Sequence, residues 1–489
     1  MVALLVFASV ADVWLSAASG DQRHGEAPNI VFVLTDDLSW NLVRYMPHVL
    51  AMERAGATFS KYFVTDSLCC PSRTSIMTGL LPHDSGVFNN SGGDGGFSAF
   101  QRHDDENHTF AVALQQGGYR TAMMGKYLNG YEPGYRDGSY VPPGWTDWDV
   151  TGNGYYEYDY DLNQDRRLVH YGRSPQAYLT NVLSGLASSE ISRRARRSLT
   201  PGHDGARHPF IVEIATFAPH TPFVAARSDA HRFDAVEAPR TPAFNRSDTV
   251  GNPPWLDLPP LNTDTIHAID RAFRARVRAV QAVDRMIGRL RQQLVTDGLA
   301  DNTYFVFSSD NGLHMGEHRL KTGKMTAFDT DINVPLVIDG PGISPGTSIS
   351  ALAENIDLAP TFEALAGLTP SSTIDGRSLA PLLEGRRPAS WRHAVLVEHH
   401  GPDIDPTDPD YQAKDAGNPP SYEAIRLDNS VYVEYADGER EYYDVAADPY
   451  ELRNVYADLG PQRRAVLHGE LAVLERCHGA TACHRADSP

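Results

Sequence analysis

Four apolar runs of strand length, each closed by a polar cluster, constrain this chain more than any other feature. Asn29–Thr35 ends in Asp36-Asp37, residues 119–124 in Gly125-Lys126, residues 209–217 in Pro219-His220, and Thr303–Ser309 in Asp310-Asn311-Gly312. Continuous apolar runs mark strands covered on both faces, as in parallel sheets. A shorter strand is expected at 334–338. Helical spacing separates the runs at 46–56, at 110–118 and over 264–299, where Ile266, Ile269, Phe273, Val277, Val280, Val283, Ile287, Leu290 and Leu294 recur. The alternation predicts an α/β fold with a large mixed, mostly parallel sheet sandwiched by helices. Ligands of such sheets bind beyond the carboxyl ends of the strands, so the polar clusters are expected to share one site.

The length of 489 residues suggests two or three domains. We expect a leader at 1–27, a catalytic domain at 28–385 and a small α+β unit at 386–489. In the last, short antiparallel strands are read at 394–398, 422–427, 430–435 and 441–444, with Ala436-Asp437-Gly438 as a hairpin turn and a largely helical 451–475. Residues 129–260, rich in Gly, Pro, Tyr and Arg, read as long loops over the active edge, regular only in the strand before His220. Tyr155, Tyr156, Tyr158 and Tyr160 there serve either loop packing or stacking on a sugar or aryl group.

Residues 2–19 are apolar, and Ala17 and Ser19 stand at the −3/−1 spacing of a secretory cleavage site, so the protein is expected to be secreted or extracytoplasmic. A buried helix or an anchor is the competing reading. No later run is long enough to span a membrane. Cys477 and Cys483 suit a local disulfide in an oxidising compartment, whereas adjacent Cys69 and Cys70 do not suit one. The net charge of −19 excludes nonspecific nucleic-acid or anionic-membrane binding. An anionic substrate would therefore need a locally basic pocket.

Asp36, Asp37, Asp310 and Asn311 offer hard oxygen donors, which suit calcium or magnesium rather than zinc. Each pair alone is ordinary capping and turn chemistry. Together, after two apolar strands, they point to a shared cation. Between them in sequence lies Ser-Leu-Cys69-Cys70-Pro71-Ser72-Arg73, continuing to Met77-Thr78-Gly79. Pro71 suits a first helical turn, Ser72 and Thr74 can hold free amides there, and the helix start with Arg73 favours an anion at the cysteine.

That stretch resembles the Cys-x-Pro-Ser-Arg…Thr-Gly signature of the type I sulfatases. Asp36-Asp37, Asp310-Asn311-Gly312, residues 357–361 and 375–379, and Tyr443-Asp-Val-Ala-Ala-Asp-Pro449 also look like that family. Leu-Cys-Cys-Pro-Ser-Arg paired with Gly125-Lys126-Tyr127-Leu128-Asn129 looks most like its glucosamine-6-sulfatase and arylsulfatase-like branch. The resemblance implies an alkaline-phosphatase-like fold and hydrolysis of sulfate monoesters of sugars or aryl alcohols, glycosaminoglycan units among them.

It further implies that a formylglycine-generating enzyme converts Cys69 to formylglycine (3-oxoalanine), whose hydrated gem-diol attacks sulfur. Ca2+ would be held by Asp36, Asp37, Asp310, Asn311 and position 69. Lys126, His220 and Lys324 would bind sulfate oxygens or the leaving group, and Arg73 would hold the nucleophile and metal-side anions. Lys321 competes with Lys324, which fits the motif better. Where many members have a histidine two residues after the lysine, this chain has Leu128, and Asn129 is the candidate substitute at the substrate. His314 and His318 are read either as pocket lining or as structural. Two alternatives share the superfold: a phosphodiesterase or phosphonate monoester hydrolase, and a non-catalytic carbohydrate-binding relative with unmodified Cys69.

Overall fold

The computed structural model describes residues 27–199, 208–246 and 251–488. The secretory-signal reading of 2–19 lies outside the described residues.

Ten strands form the main sheet: β1 (Asn29–Thr35), β2 (Ala57–Phe59), β3 (Arg120–Lys126), β4 (Asp147–Thr151), β5 (Tyr160–Gln164), β6 (Arg167–Tyr171), β7 (Phe210–Ala215), β8 (Thr303–Ser309), β9 (Leu336–Asp339) and β10 (Thr347–Ile349). Their order is β10-β2-β9-β8-β1-β7-β3-β4-β5-β6. The middle five, β8-β1-β7-β3-β4, are parallel, and β9, β5 and β6 run antiparallel to their neighbours. Side chains of β1 alternate between two cores. Ile30, Phe32 and Leu34 enter one, with Phe110, Leu114 and Phe362. Val31 and Val33 enter the other, with Leu183, Val277 and Val280. Coverage of both faces explains why these strands read as unbroken apolar runs.

The helices that cover the faces include α1 (Pro47–Ala55), α2 (Cys69–Thr78), α3 (Phe110–Gln116), α4 (Leu179–Leu199), α5 (Thr263–Thr296) and α6 (Leu358–Leu365). Helix α4 corrects the reading of 129–260 as loops, as do β4, β5 and β6. Its buried face is a narrow ladder, Leu179, Leu183, Ala187 and Ile191, set among serines and arginines that read as loop. Tyr160 is buried, Tyr155 and Tyr158 are partly so, and Tyr156 is exposed.

Four antiparallel strands make the second sheet: β11 (Ala394–His399), β12 (Tyr422–Leu427), β13 (Ser430–Tyr435) and β14 (Arg440–Asp444). Val395, Val397, Val431 and Val433 on one face join the core of β1, while Leu396, Ile425 and Tyr432 on the other pack on α7 (Pro461–Leu474). Residues 451–460, expected to be helical, form only a short 3-10 turn at Tyr456–Asp458, because Gly460-Pro461 starts α7. The Cys477–Cys483 disulfide joins the end of α7 to α8 (Gly479–Ala486). Among the described residues no helix is long and apolar enough to cross a membrane.

Register brings the carboxyl ends of the central strands level. Thr35 pairs with Ser309, Leu34 with Ala215, and Gly125 with Ala215. At Gly125 φ is +98°, and a Cβ would stand 1.9 Å from the Ala215 carbonyl oxygen. Only glycine lets β3 approach β7 so closely just before Lys126.

Candidate active site

Residues at or beyond the carboxyl ends of β1, β3, β7 and β8 enter one charge cluster. Asp37 follows β1 in a left-handed conformation, φ +61°. Its N–H donates to Asp310 Oδ1 at 3.1 Å, and Asn311 Nδ2 donates to its Oδ1 at 2.6 Å. The Asp36-Asp37 and Asp310-Asn311 pairs are therefore interlocked. Lys126, the last residue of β3, reaches Asp36 Oδ2 at 2.6 Å. Lys324 Nζ lies 2.7 Å from Asp37 Oδ1. Lys321 instead turns outward to Asp415 and the Lys414 carbonyl.

Cys69 is the first residue of α2, a helix buried throughout. Its Sγ lies 3.2 Å from Asp36 Oδ1 and 3.0 Å from Lys324 Nζ. Ser72 and Thr74 do not cap this helix. Ser72 Oγ donates to the Asp310 carbonyl, Thr74 Oγ1 has no partner, and Asn90 Oδ1 accepts the Cys70 N–H at 2.9 Å instead. Arg73 Nε donates to Asp310 Oδ2 at 2.7 Å. The helix thus carries both the thiol and the guanidinium that braces the opposing carboxylate.

His220 approaches from beyond β7, its Nε2 3.7 Å from Asp37 Oδ2. The same nitrogen is 2.6 Å from Asp410 Oδ1, which also takes Lys324 Nζ at 2.7 Å. Asp410 was not among the residues read from the sequence. It lies in the 400–421 loop between β11 and β12 and is held by Asn90 Nδ2 at 2.7 Å. Asn90, which ties this loop to the helix start, was missed too. The signal for both was weak: aspartates at 403, 405, 408 and 410 in a proline-rich stretch, and one asparagine in an irregular one.

Asp310 and Asn311 are hydrogen-bonded to Asp37, and Asn311 Oδ1 is buried without a hydrogen-bond partner. Ligand atoms of Asp36, Asp37, Cys69 and His220 all fall within 4.8 Å of one another. The Asp36 and Asp37 carboxylates, with Asp310 and the unpaired Asn311 carbonyl adjoining them, offer the hard oxygens that fit a divalent cation.

The sequence profile of the family described as Sulfatase matches residues 28–368. The chain belongs to the sulfatase family. A profile described as N-sulphoglucosamine sulphohydrolase, C-terminal, matches residues 316–475. The chain is 34% identical to the N-acetylglucosamine-6-sulfatase of Capra hircus over 495 residues, 95% of this chain and 86% of that one. It is 32% identical to the extracellular sulfatase SULF-1 homolog of Drosophila melanogaster over 387 residues, 76% of this chain and 33% of that one. A solved structure, described as in complex with its substrate D-glucosamine-2-N,6-O-disulfate, superposes with a TM-score of 0.72 at 24% identity and covers 92% of this chain and 97% of that chain. These relatives fit the glucosamine-6-sulfatase and arylsulfatase-like branch, and the chain is a sulfuric ester hydrolase that cleaves sulfate monoesters.

For a sulfatase, the electrostatics of the cluster are those of an anion trap in balance. Burial alone would raise Asp36, yet Lys126, His220, Arg73 and Lys324 hold it well below the usual carboxylate value. Burial opposes charge on Asp410 too, and Lys324 and His220 keep it ionised. Burial lifts Asp310 to about 6 despite Arg73. Against its own burial, His220 is raised to about 9 by Asp37, Asp36 and Asp410, which favours the imidazolium. The Cys69 thiol is pushed up by burial, with Asp36 and Asp410 adding to the effect. This corrects the expectation that the helix start and Arg73 would favour an anion there.

Three sequence-read residues stand differently. Asn129 is buried with both side-chain amide atoms unpaired, which leaves them free for a ligand. His314 has both ring nitrogens engaged, by Asp331 at 2.9 Å and the Ala416 carbonyl at 3.1 Å. It offers a substrate no free nitrogen, so the substrate-binding reading of His314 is replaced by a structural one. His318 is buried and stacked on Phe328, its pKa lowered to about 3 by burial.

Proposed function

We propose that this sulfatase removes the 6-O-sulfate of a glucosamine-type sugar, with Cys69 matured to formylglycine by a formylglycine-generating enzyme and Ca2+ held by Asp36, Asp37, Asp310 and Asn311. The observation that carries this reading is the position of the Cys69 side chain, 3.0 Å from Lys324 and 3.2 Å from Asp36, in a cluster that also contains Lys126 and His220. When present, the matured side chain supplies a hydroxyl nucleophile and the cation supplies charge neutralisation.

The chain's own residues do the rest. A sulfate ester resists attack because it is an anion, so its sulfonyl oxygens need cations around them in a dry site. Lys126 and Lys324 are buried ammonium groups suited to that task, and Tyr155 walls one side with its ring 5.1 Å from Lys126 Nζ. Asp36 stands beside position 69 to accept a hydrogen bond that orients the nucleophile. Lys324, beside position 69, donates to the departing sugar oxygen, and His220, its ring nitrogens held by Asp410 and the Thr221 carbonyl, adds positive charge there. Asp410 orients His220 and Lys324 together. Asn129 supplies a donor and an acceptor toward the substrate. Arg73 keeps Asp310 ionised and aimed at the metal side.

The reading of residues 2–19 as a secretory signal, with cleavage after Ser19, accords with extracellular relatives such as the SULF-1 homolog. The test is a panel of defined monosulfated sugars given to matured protein, with an aryl sulfate and a phosphonate monoester alongside. Preferred cleavage of glucosamine 6-sulfate is expected. Faster turnover of the phosphonate, or an intact thiol at Cys69 in active protein, overturns the reading.

A further inference from the structure

Helix α5 buries an arginine behind the charge cluster. Arg276 is fully buried among Phe273, Val277 and Val280. Its Nη2 donates to the backbone carbonyl of Asp37, its Nη1 lies 3.1 Å from Met315 Sδ, and its Nε has no partner. The acids whose charge reaches it are Asp37, Glu317 and Asp331. Among the described residues none of them approaches within the 4.0 Å of an ion pair. A buried guanidinium without a carboxylate contact is costly to keep, so what it touches matters.

What it touches is the backbone of a residue in an uncommon conformation. Asp37 has φ +61°, a region that a residue other than glycine occupies only when its surroundings impose it. Two backbone bonds impose it here. The Asp37 N–H is taken by Asp310, and its C=O, turned into the core beneath the sheet, is taken by Arg276. With both held, the Asp37 carboxylate is aimed at Asn311 and Lys324.

We infer that Arg276 is a positioning residue of the cation site: its bond to the Asp37 carbonyl locks the left-handed turn that presents the Asp37 carboxylate. This rests on the calcium reading above, and it concerns a residue remote from substrate. The bond leaves the guanidinium on the core side of the sheet and the carboxylate on the ligand side, so Arg276 acts only through Asp37. Ligand-supporting partners of this kind govern metal affinity as well as rate.

The test is calcium titration by calorimetry into EDTA-stripped full-length protein carrying unmodified Cys69, which removes turnover from the readout. Arg276→Met is expected to weaken calcium binding by about tenfold or more. Arg276→Lys, which keeps a donor within reach of the carbonyl, is expected to restore affinity to within about threefold. A purely structural role would lower the melting temperature equally with and without calcium and leave the dissociation constant alone. That result for Arg276→Met overturns the inference. If Arg276→Met does not fold, Arg276→Gln is judged by the same criteria. Wild-type protein that binds no calcium removes the underlying reading as well, and the wild-type titration alone tells that case apart.

Discussion

At the carboxyl edge of the main sheet, Asp36, Asp37, Asp310 and Asn311 come directly after a strand, and Lys126 is the last residue of one. Their positions are set by strand register, the most rigid relation in the fold. Asp410 reaches the same cluster on the 400–421 loop, far from the main sheet in sequence. That loop is shaped by its own aspartates, with Asp403 Oδ1 accepting from Asp405 N, Asp405 Oδ1 from Thr407 N and Asp408 Oδ1 from Asp410 N. On the proposed reading the edge supplies oxygen donors and the Lys126 charge, and α2 brings Cys69 against them. The loop adds one carboxylate that sets how His220 and Lys324 stand. The contrast predicts that edge substitutions destroy chemistry, whereas loop substitutions tune it.

The largest effect is expected at position 69. Cys69→Ala should reduce turnover to background while leaving the melting temperature near wild type, because the small buried side chain adds little packing. Measurable turnover would break the assignment of the nucleophile. Lys126→Ala should cost roughly 10²–10³ in kcat, the price of one preorganised charge at a developing anion. A change confined to KM would show that Lys126 only binds.

Asp410→Asn should cost less, roughly 10–100-fold in kcat/KM, and should carry a signature that an edge substitution lacks. Burial holds the His220 pKa down, while Asp37, Asp36 and Asp410 together raise it to about 9. With Asp410 neutral, the imidazolium loses its proton at lower pH. The alkaline limb of the kcat profile should therefore move to lower pH. An unmoved limb would show that the charge on His220 does not limit turnover.

The same contrast explains what could be read from the sequence. The edge was legible because each contribution is local: an apolar run, then a polar pair. Four of the five strands of the parallel middle, β8, β1, β7 and β3, and the C-terminal strands followed from the same patterns, with bounds shifted by a residue or two, whereas β4 did not. Helix α4 was hidden because its apolar ladder, Leu179, Leu183, Ala187 and Ile191, is narrow, while Ser184, Ser188, Ser189 and Ser192 gave the segment a loop-like composition. Asp410 and Asn90 were hidden for another reason. Their roles depend on tertiary contacts that no local pattern encodes, and loop aspartates ordinarily serve turns. His314 misled in the opposite way. It follows the Asp310-Asn311 pair closely, but a two-residue strand at His314–Met315 turns its ring to Asp331 and Ala416.

The smallest effect concerns the seam that carries the C-terminal sheet rather than the site itself. His83 has Nδ1 2.9 Å from Glu398 and Nε2 2.8 Å from the Cys477 carbonyl. Burial disfavours its charge, but the Glu398 bond and charge and the Cys477 carbonyl raise its pKa from 6.5 to about 9. A folded-state value above the unfolded one means that protonation favours the fold. The stabilisation is complete below pH 6.5 and is lost as pH rises through 9. The shift corresponds to at most about 3 kcal/mol. His83→Gln should therefore melt below wild type at neutral and mildly acidic pH, and the gap should close above the folded-state value, as read by thermal denaturation across that range. Activity per folded molecule should not change, because no bond of His83 reaches the charge cluster. A gap that stays constant with pH would mean that His83 contributes packing alone, and that the seam, unlike the site, owes nothing to a charged histidine.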